Sequence, residues 1–431
     1  MIAVAGLSHL GIVTSAALAA KGFDLIAFDE RPGVADALAA GMLPISEPGL
    51  DNLLDKARYH LRYTASAADL TRAEVVFITR DVPTDASNRA DSSVVDNILK
   101  AIEPHLAKSA IVVVMSQVSP GFLRPRHDAL AKKGVLSFYQ VETLVFGSAV
   151  ERATLPERYI VGCENPSQPL PPAYRRVLEA FNCPILTMRI ESAELSKIAI
   201  NCYLASTVAV TNTLAALCEK NGADWAEIAP ALRLDKRIGQ HAYLAPGLGL
   251  AGGNIERDLI AVLDAAALHG TEAGTAEAWL RMSAWRRNWP LHVLSETLLG
   301  RQKKSSTRIA IWGLAYKLGT HSLKNAPSVE FIEHLQRTRP ALSIATWDPI
   351  APLPTELTTE QCRQHDSPLD ALDGADALVI FTPHPELSTV PIGEIVSRMH
   401  GRLVIDPFRV LPLTTAQAAG LRIVSLGVPS C

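Results

Sequence analysis

A glycine-rich turn near the amino terminus has the residue types and spacing of a dinucleotide-binding loop. It follows a short apolar strand and opens a helix, and its pattern is G-x-G-x-x-G with serine at the second glycine. Backbone amides at such a turn, with the positive end of the helix, bind a pyrophosphate. Serine is small, so the phosphates could still approach, though more tightly. The residues that we expect to contact the cofactor here are Gly6, Ser8, His9, Leu10 and Gly11.

A carboxylate at the end of the second predicted strand would select the form of the dinucleotide. Asp29 stands eighteen residues after Gly11. It can accept hydrogen bonds from both ribose hydroxyls and would repel a 2′-phosphate, which favours NAD over NADP. A tight turn without a ligand is the alternative for the glycines alone, but the strand–turn–helix context and Asp29 weigh against it. Arg31 could stack on adenine, although a solvated loop arginine is the more ordinary interpretation.

Apolar segments that alternate with helical segments must position these residues. In the first part of the chain, strands are predicted at 2–6, 24–29, 75–79, 110–116 and 159–162, and helices at 10–21, 92–103 and 122–133. This alternation is typical of a parallel, doubly wound sheet. The pattern is helical over 192–219 and over 272–299, with an interruption at Pro290. A second strand–glycine–helix series begins at RIAIWGLAYK, with further strands at 342–348, 377–382 and 402–406.

The sequence therefore predicts an α/β protein with two Rossmann-like domains joined by an all-helical middle. We expect a dinucleotide-binding domain at 1–190, a central helical domain at 191–299 and a second Rossmann-like domain at 300–431. A chain of 431 residues is too long for one hydrophobic core, which agrees with several domains. The polar, basic stretch at 300–307 is predicted to be a linker or loop.

Composition excludes several classes of protein. Hydrophobic residues make up 48% and charged residues 20% of the chain, and the net charge is −3, so neither nucleic acid nor an anionic membrane is expected as a partner. Six scattered cysteines without a C-x-x-C pair argue against disulfides and a metal site and fit the cytoplasm. The apolar first twenty residues lack the basic start of a signal peptide and are better explained as strand, turn and helix.

Several motifs, in order along nearly the whole chain, resemble those of the UDP-glucose/GDP-mannose dehydrogenase family. They include a loop like G-x-x-P-I-x-E-P-G-L, a turn like V-P-T-P, a segment like S-T-V-P-P-G, a helix like A-E-x-x-K-x-x-x-N, and the motifs D-x-R-I-G and G-L-A-F-K-x-x-T. In this chain they stand at 41–50, 82–84, 116–121, 193–201, 235–239 and 313–320, respectively.

The resemblance implies two Rossmann-like domains around a helical middle that builds a homodimer, with NAD in the first domain and a nucleotide-sugar covered by the last. It also implies oxidation of C6 of a hexose in two steps. A base or activated water takes the hydroxyl proton during the first hydride transfer, which leaves an aldehyde. A cysteine thiolate then attacks the aldehyde, a second hydride leaves, and water hydrolyses the resulting thioester.

The family's cysteine lies in a loop of the form G-x-G-F-G-G-x-C-F-P-K-D, and Asn254 occupies its position here. An amide nitrogen is essentially non-nucleophilic, so a thioester cannot form at this residue. Cys202 is the cysteine nearest a matched motif, but it lies on a different helix face from Lys197 and is more ordinary as a small core residue. The chain is therefore expected to stop after one hydride transfer.

Matched positions supply the other expected site residues. On spacing alone, Lys197 and Asn201 would be a solvent-facing pair on one helix face, whereas the resemblance implies that they hold a water and stabilise oxyanion charge. Asp258 would orient that water, Glu142 would act as a base or position water, and Arg237 would reach substrate across a dimer interface. The expected catalytic positions are Lys197, Asn201, Asp258, Glu142 and Asn254. Further cofactor contacts are expected from Asp29, Arg31, Pro83, Thr84, Ser116 and Gln117. Substrate contacts are expected from Leu144, Arg237, Gly247, Gly249, Gly252, Lys317 and Lys324.

Departures from the family pattern are concentrated at positions expected to take part in the reaction or to contact the substrate. Phe146 stands at an acidic position, the family's T-D-D-x-R-E-S-P becomes THSLKNAP with Lys324 for arginine, and Arg409 is one residue further from Asp406. Lysine lacks the bidentate fork of arginine. The leading hypothesis is that the reaction or the substrate has changed. In this hypothesis the chain uses NAD to oxidise a nucleotide-linked sugar or a similar anionic alcohol. The alternatives are full oxidation to a uronic acid by a cysteine-independent route and a non-catalytic nucleotide sensor or scaffold.

Overall fold

A computed structural model describes residues 1–85, 87–300 and 307–429. The chain divides into two compact units, residues 1–200 and 201–431. The predicted linker at 300–307 lies outside the described residues except for its first and last positions. The division into three domains at 190 and 299 stays a prediction.

The first unit is built on a sheet of eight strands in the order β3-β2-β1-β4-β5-β6-β7-β8. The described strands are β1 Ile2–Ala5, β2 Leu25–Phe28, β3 Leu61–Thr64, β4 Val75–Ile78, β5 Ile111–Val114, β6 Leu136–Gln140, β7 Tyr159–Cys163 and β8 Ile185–Arg189. The helices are α1 His9–Ala20, α2 Val34–Ala39, α3 Leu50–Ala57, α4 Ser93–Ile102, α5 Leu123–Ala131, α6 Ala149–Thr154, α7 Pro172–Glu179 and α8 Ile190–Asn221. The predicted strands and helices of this unit are all present.

Helices cover both faces of this sheet, as a doubly wound fold requires. Val4 and Val113 belong to one buried cluster, which also includes residues of α1 and α7. Ala3 and Val112, their neighbours in sequence, belong to a second cluster with residues of α4 and α5. Successive side chains of a strand point to opposite faces, so continuous apolar strands such as IVVV are buried on both sides.

One strand pair departs from the predicted parallel arrangement. β6 and β7 are antiparallel, with Tyr139 opposite Gly162 and Gln140 opposite Val161. The other neighbouring pairs in this sheet are parallel. An antiparallel pair needs no crossover connection between its strands, so the chain from Gln140 to β7 stays at the carboxyl end of β6. Glu142 and Leu144 lie in this connection.

The glycine turn between β1 and α1 has no room for side chains at its two glycines. Gly6 has φ +97°, and a Cβ there would meet Arg80 N at 2.9 Å. A Cβ on Gly11 would lie 2.1 Å from the Gly6 carbonyl oxygen and 2.7 Å from Thr79 Oγ1. The helix can therefore pack this closely on the strand ends only because residue 11 is glycine.

Gly11→Ala is expected to lower the free energy of unfolding by about 2 kcal/mol or more, because backbone must move to admit the methyl group. Gly393→Ala is a matched control, since that glycine lies in a helix of the second unit and has no atom within 4 Å of an added Cβ. The control should be neutral or stabilising by up to about 1 kcal/mol. Urea unfolding followed by circular dichroism measures both. Equal effects of the two substitutions would contradict the close-packing explanation.

The second unit begins within α8 and continues with α9 Trp225–Leu234, α10 Asn254–His269, α11 Gly274–Arg287 and α12 Trp289–Leu294. The interruption predicted at Pro290 is present, because α11 ends at Arg287 and Pro290 lies in the first turn of α12. Proline is tolerated there because the amide it lacks would have no helical partner. By length and composition, α8 could cross a membrane, which is weak evidence since core helices of soluble proteins share these properties.

A second sheet, of six parallel strands in the order β11-β10-β9-β12-β13-β14, completes this unit. Its described elements are β9 Arg308–Trp312, α13 Pro327–Thr338, β10 Ser343–Trp347, β11 Cys362–Gln364, α14 Pro368–Leu372, β12 Ala377–Ile380, α15 Ile392–Arg398, β13 Leu403–Ile405, α16 Leu413–Ala418 and β14 Arg422–Val424. The fold thus contains the two predicted Rossmann-like sheets and a helical region between them in sequence.

Candidate active site

The glycine turn of the first unit is hydrogen-bonded to residues that follow β2 and β4. Leu7 N–H donates to Asp29 Oδ2 at 2.6 Å, and Thr79 Oγ1 donates to the Gly6 carbonyl at 2.9 Å. The turn therefore keeps its backbone close to α1, where a pyrophosphate can approach amide groups. Gly6 and Gly11 allow this close packing, and the amides at the turn and at the start of α1 fit the pyrophosphate of a dinucleotide.

Asp29 follows β2, at the position predicted for the residue that binds ribose, but its carboxylate already accepts hydrogen bonds from two arginines. Arg31 Nε donates to Oδ1 at 2.9 Å and Arg80 Nη2 to Oδ2 at 3.0 Å. Burial raises the pKa of Asp29, but the hydrogen bonds from Arg31, the charge of Arg80 and backbone amides outweigh it, so the pKa is lowered. Asp29 therefore stays ionised, and ribose hydroxyls would share it with two arginines. Sequence reasoning missed Arg80.

The segment after β4 reaches the glycine turn through Asp81, two residues before the predicted contact Pro83. Asp81 N–H donates to Ser8 Oγ at 2.7 Å. Thr84 forms an isolated antiparallel bridge with Ala90 further along the segment. Ser116, at the end of β5, is buried and its amide donates to the Ile78 carbonyl at 3.1 Å, which is a structural contact. Roles of these residues in cofactor binding stay predictions.

Lys197 and Glu142, predicted from separate motifs, form an ion pair in the first unit. Lys197 Nζ lies 2.9 Å from Glu142 Oε1 and 3.0 Å from its carbonyl oxygen. Both side chains are largely buried, with 11% and 14% exposed. Glu142 Oε2 accepts the Leu144 N–H at 2.9 Å, so the carboxylate is held on both sides. Such a pair can pass or hold a proton at a fixed position.

A buried carboxylate, that of Glu47, was not predicted as a site residue from the sequence. Glu47 accepts a hydrogen bond from the Gly147 N–H at 2.9 Å, and its Oε1 lies 2.8 Å from His9 Nε2. The ring of Phe146 lies 4.1 Å from that of His9, centre to centre. Glu47 belongs to the P-I-S-E-P-G-L motif, so the resemblance included this residue but did not indicate its role.

In the second unit, Asn201 and Asp258 are brought together from α8 and α10. Asn201 Nδ2 donates to Asp258 Oδ2, and both residues are buried. Asn254 is the first residue of α10 and lies one turn before Asp258 on the same helix face. Asn254 and Asp258 therefore lie in the first two turns of α10, and Asn201 reaches Asp258 from α8.

The glycine loop before α10 packs against the segment that includes Lys324. The Gly252 N–H donates to the Lys324 carbonyl at 3.0 Å, and a Cβ on Gly252 would lie 2.6 Å from the Tyr316 ring. A Cβ on Gly249 would lie 2.6 Å from the Ser283 carbonyl oxygen, and Gly247 N–H donates to Asn212 Oδ1 at 3.0 Å. These contacts explain the glycines by close packing and bring the predicted substrate loop beside Lys324.

Three basic residues have contacts that the sequence did not indicate. Arg237 is 89% exposed at its side chain and pairs with Asp235, so a role across a dimer interface stays a prediction. Arg409, in the left-handed region with φ +55°, forms an ion pair with Asp224, the N-cap residue of α9. Lys317 Nζ lies 5.7 Å from the ring centre of Tyr316.

The second sheet repeats the glycine-turn arrangement of the first. Gly313 has φ +88°, and the Leu314 and Ala315 amides donate to Asp348 Oδ2 at 2.7 and 3.0 Å. Burial raises the pKa of Asp348, but hydrogen bonds from His384 and from backbone amides outweigh it, and the pKa lies well below its usual range. Asp348 therefore stabilises the turn as an anion.

Asp348→Asn is expected to lower the free energy of unfolding by about 2 kcal/mol at pH 7. The stabilisation by a carboxyl with a depressed folded-state pKa is complete above its ordinary pKa of about 3.9 and is lost as the pH falls through the folded value. The difference from wild type should thus shrink by about 1 kcal/mol between pH 7 and pH 3 in urea unfolding. Asp373→Asn, at an ion pair on the surface, is the control. An unchanged difference at pH 3 would contradict this role.

Among residues 1–85, 87–300 and 307–429, no three His, Cys, Asp or Glu side chains are grouped so as to hold a metal ion. The two Rossmann-like sheets and the glycine turn with Asp29 fit the class of NAD-dependent dehydrogenases that act on CH–OH donors. Family models of the UDP-glucose/GDP-mannose dehydrogenase family match its NAD binding domain at 1–181, its central domain at 191–284 and its UDP binding domain at 310–412. The chain belongs to this family.

Individual relatives agree with this membership. The UDP-glucose 6-dehydrogenase of Pseudomonas aeruginosa is 31% identical over 427 residues, covering 94% of this chain and 92% of that protein. UDP-glucose 6-dehydrogenase TuaD of Bacillus subtilis is 28% identical, covering 100% and 93%. The UDP-glucose dehydrogenase structure from Pyrobaculum islandicum superposes with a TM-score of 0.83 at 26% identity, covering 95% of this chain and 94% of that one. A UDP-D-ManNAc dehydrogenase structure from Pyrococcus horikoshii has the same fold, with a TM-score of 0.85 at 23% identity and full coverage of both chains.

Proposed function

We propose that this chain oxidises one hydroxyl of a nucleotide-linked sugar to an aldehyde or ketone and stops after one hydride transfer. Relatives named as UDP-glucose 6-dehydrogenases support the substrate class. The observation that carries the single step is Asn254 at the first position of α10, where the family resemblance implies a nucleophilic cysteine. An asparagine amide cannot form the acyl intermediate of a second oxidation.

The cysteines that the structure describes are poor replacements for that nucleophile. Burial raises the pKa of the Cys202 thiol, and the negative charge of Asp258 adds to this effect. Burial likewise raises the pKa of the Cys163, Cys183, Cys218 and Cys362 thiols, in the last case to about 11. Since the thiolate is the reactive form, these residues are largely protonated near pH 7. No described cysteine therefore has the lowered pKa of an activated thiol.

The remaining residues can manage the proton and the charge of one oxidation. NAD, when bound, accepts the hydride from the substrate carbon. In our proposal the Glu142 carboxylate takes up the hydroxyl proton through water, and the Lys197 ammonium paired with it stabilises the developing oxyanion. Asn201, held by Asp258 in the second unit, supplies an oriented amide for hydrogen bonding. These roles require no covalent bond between protein and substrate.

Product stoichiometry tests the proposal. Purified protein, NAD and a panel of UDP- and GDP-sugars should give one NADH per sugar consumed, with a carbonyl product that a hydrazine reagent traps. Two NADH per sugar with a uronic acid would overturn the single-step proposal and favour the cysteine-independent full oxidation. Binding of NAD in calorimetry without turnover on any sugar would favour the non-catalytic alternative.

We further propose a homodimer formed through α8. Tyr203, Val210 and Leu217 follow one another at seven-residue intervals, so they form one stripe, and each is more than half exposed. Beside this stripe lies an apolar groove between α8 and α11, lined by Val210, Leu214, Trp279 and others. Apolar surface of this extent is typical of a protein–protein interface. Light scattering after size exclusion should give twice the chain mass, and a monomer at micromolar concentration would contradict the proposal.

A further inference from the structure

The carboxylate of Asp29 is saturated with hydrogen bonds from the protein itself. Its Oδ1 accepts from the Arg31 backbone N–H at 3.0 Å and from Arg31 Nε at 2.9 Å. Its Oδ2 accepts from the Leu7 N–H at 2.6 Å, from Arg31 Nη2 at 3.1 Å and from Arg80 Nη2 at 3.0 Å. A carboxylate has about four lone-pair sites, so these donors leave none for the two hydroxyls of a ribose.

The Arg31 side chain is the exposed member of this group. It is 47% exposed, whereas the side chains of Asp29 and Arg80 are 0% and 7% exposed. Its Nε and Nη2 each donate to one oxygen of Asp29, which is the two-pronged pairing that guanidinium geometry favours. A ribose that approaches the end of β2 therefore meets the arginine before it can reach the carboxylate.

The charges that follow β2 balance one another. Arg80 Nη2 also donates to both carboxylate oxygens of Glu30, at 3.0 and 2.9 Å, so the two acids, Asp29 and Glu30, are paired with two guanidiniums. The predicted preference for NAD depends on repulsion between Asp29 and a 2′-phosphate. Because Arg31 and Arg80 are bonded to that same carboxylate, most of this repulsion is neutralised. An arginine at this position is instead the type of residue that accommodates a 2′-phosphate.

We propose that Arg31 makes this site accept a 2′-phosphorylated dinucleotide, so that the chain binds NADP as well as NAD. A guanidinium has several N–H donors, and those not directed to Asp29 can bond a phosphate. Arg80 is a positioning residue, because it keeps Asp29 paired when Arg31 turns towards the phosphate. The inference concerns the cofactor alone and does not depend on how many hydrides leave the sugar.

Isothermal titration calorimetry on the full chain without sugar tests this inference in the wild-type protein. NADP should bind within about tenfold of NAD, and a larger preference for NAD would overturn the inference. Adenosine 2′,5′-bisphosphate should displace bound NAD at least as well as 5′-AMP does, because the additional phosphate meets Arg31. Weaker displacement by the bisphosphate would contradict the proposed contact.

Arg31→Ala separates recognition of the 2′-phosphate from other roles of this arginine. The variant should bind NADP about tenfold more weakly than wild type and NAD within about threefold of it, since only NADP loses a charge-assisted hydrogen bond. Arg175→Ala is the matched control, because that arginine is 58% exposed and also pairs with a carboxylate, Glu179, in α7 of the same unit. It should change neither affinity by more than about twofold.

An equal loss of NAD and NADP affinity in Arg31→Ala would overturn the inference and would favour stacking of Arg31 on adenine. Unchanged affinities would overturn it as well. Thermal unfolding shows whether the variant keeps its fold, and if it does not, displacement of NAD by the bisphosphate from wild-type protein decides the matter. Production of two NADH per sugar would refute the proposed single oxidation and leave these binding results standing.

Discussion

Asn254→Cys is expected to raise the yield from one to two NADH per sugar and to change the product from an aldehyde to a carboxylate. Residue 254 begins α10, and the positive end of a helix lowers the pKa of a thiol there. The thiolate would add to the aldehyde carbon, and the adduct would lose a second hydride to NAD. Water would then cleave the thioester to release the carboxylate and regenerate the thiol.

Two matched variants separate nucleophilicity from side-chain size. Asn254→Ser introduces a hydroxyl that is not ionised near pH 7, and Asn254→Ala leaves no reactive group, so both should keep one NADH per sugar. Mass spectrometry of Asn254→Cys after quenching should show a sugar adduct on the peptide that contains residue 254. One NADH per sugar from the cysteine variant, with its thiol shown to be free, would mean that other departures also prevent the second step.

Lys197→Met is expected to lower kcat by about 10³-fold, within the range for removal of a group that stabilises an oxyanion. The ion pair with Glu142 is largely buried, so methionine keeps the apolar stem and removes the charge that stabilises the oxyanion. The same change leaves Glu142 unpaired and is expected to destabilise the first unit by about 3 kcal/mol. A fall in kcat alone would therefore not distinguish chemistry from unfolding.

The double variant Lys197→Met/Glu142→Gln resolves this ambiguity. It removes both charges, so much of the lost stability should return while kcat stays low. Lys220→Met, an exposed position near the end of the same helix, should change neither quantity appreciably. Recovery of kcat in the double variant would show that Lys197 acts through stability rather than in the reaction.

The regular features of the chain were predictable because their signals are local. Apolar runs such as VVFI and IVVV alternate with helical segments, and this order predicts a doubly wound sheet, which the structure confirms. β3 and β8 were missed because they are edge strands that are only partly buried, so their sequences lack a continuous apolar run. β11 and β14 were missed for the same reason, and they have only three residues each. β6, an interior strand, was missed because polar residues interrupt its sequence LSFYQ.

The order of residues in the chain already specified the glycine turn, Asp29 and the Lys197/Asn201 spacing, because each depends on neighbours within one strand, turn or helix. Tertiary structure alone decided that Arg80 pairs with Asp29, that the Asp81 N–H donates to Ser8 Oγ and that Glu142 pairs with Lys197. The residues of these pairs are separated by dozens of positions. They meet because parallel strands, β6 included, have their carboxyl ends at one edge of the sheet. Spacing along a sequence does not encode which strand ends become neighbours.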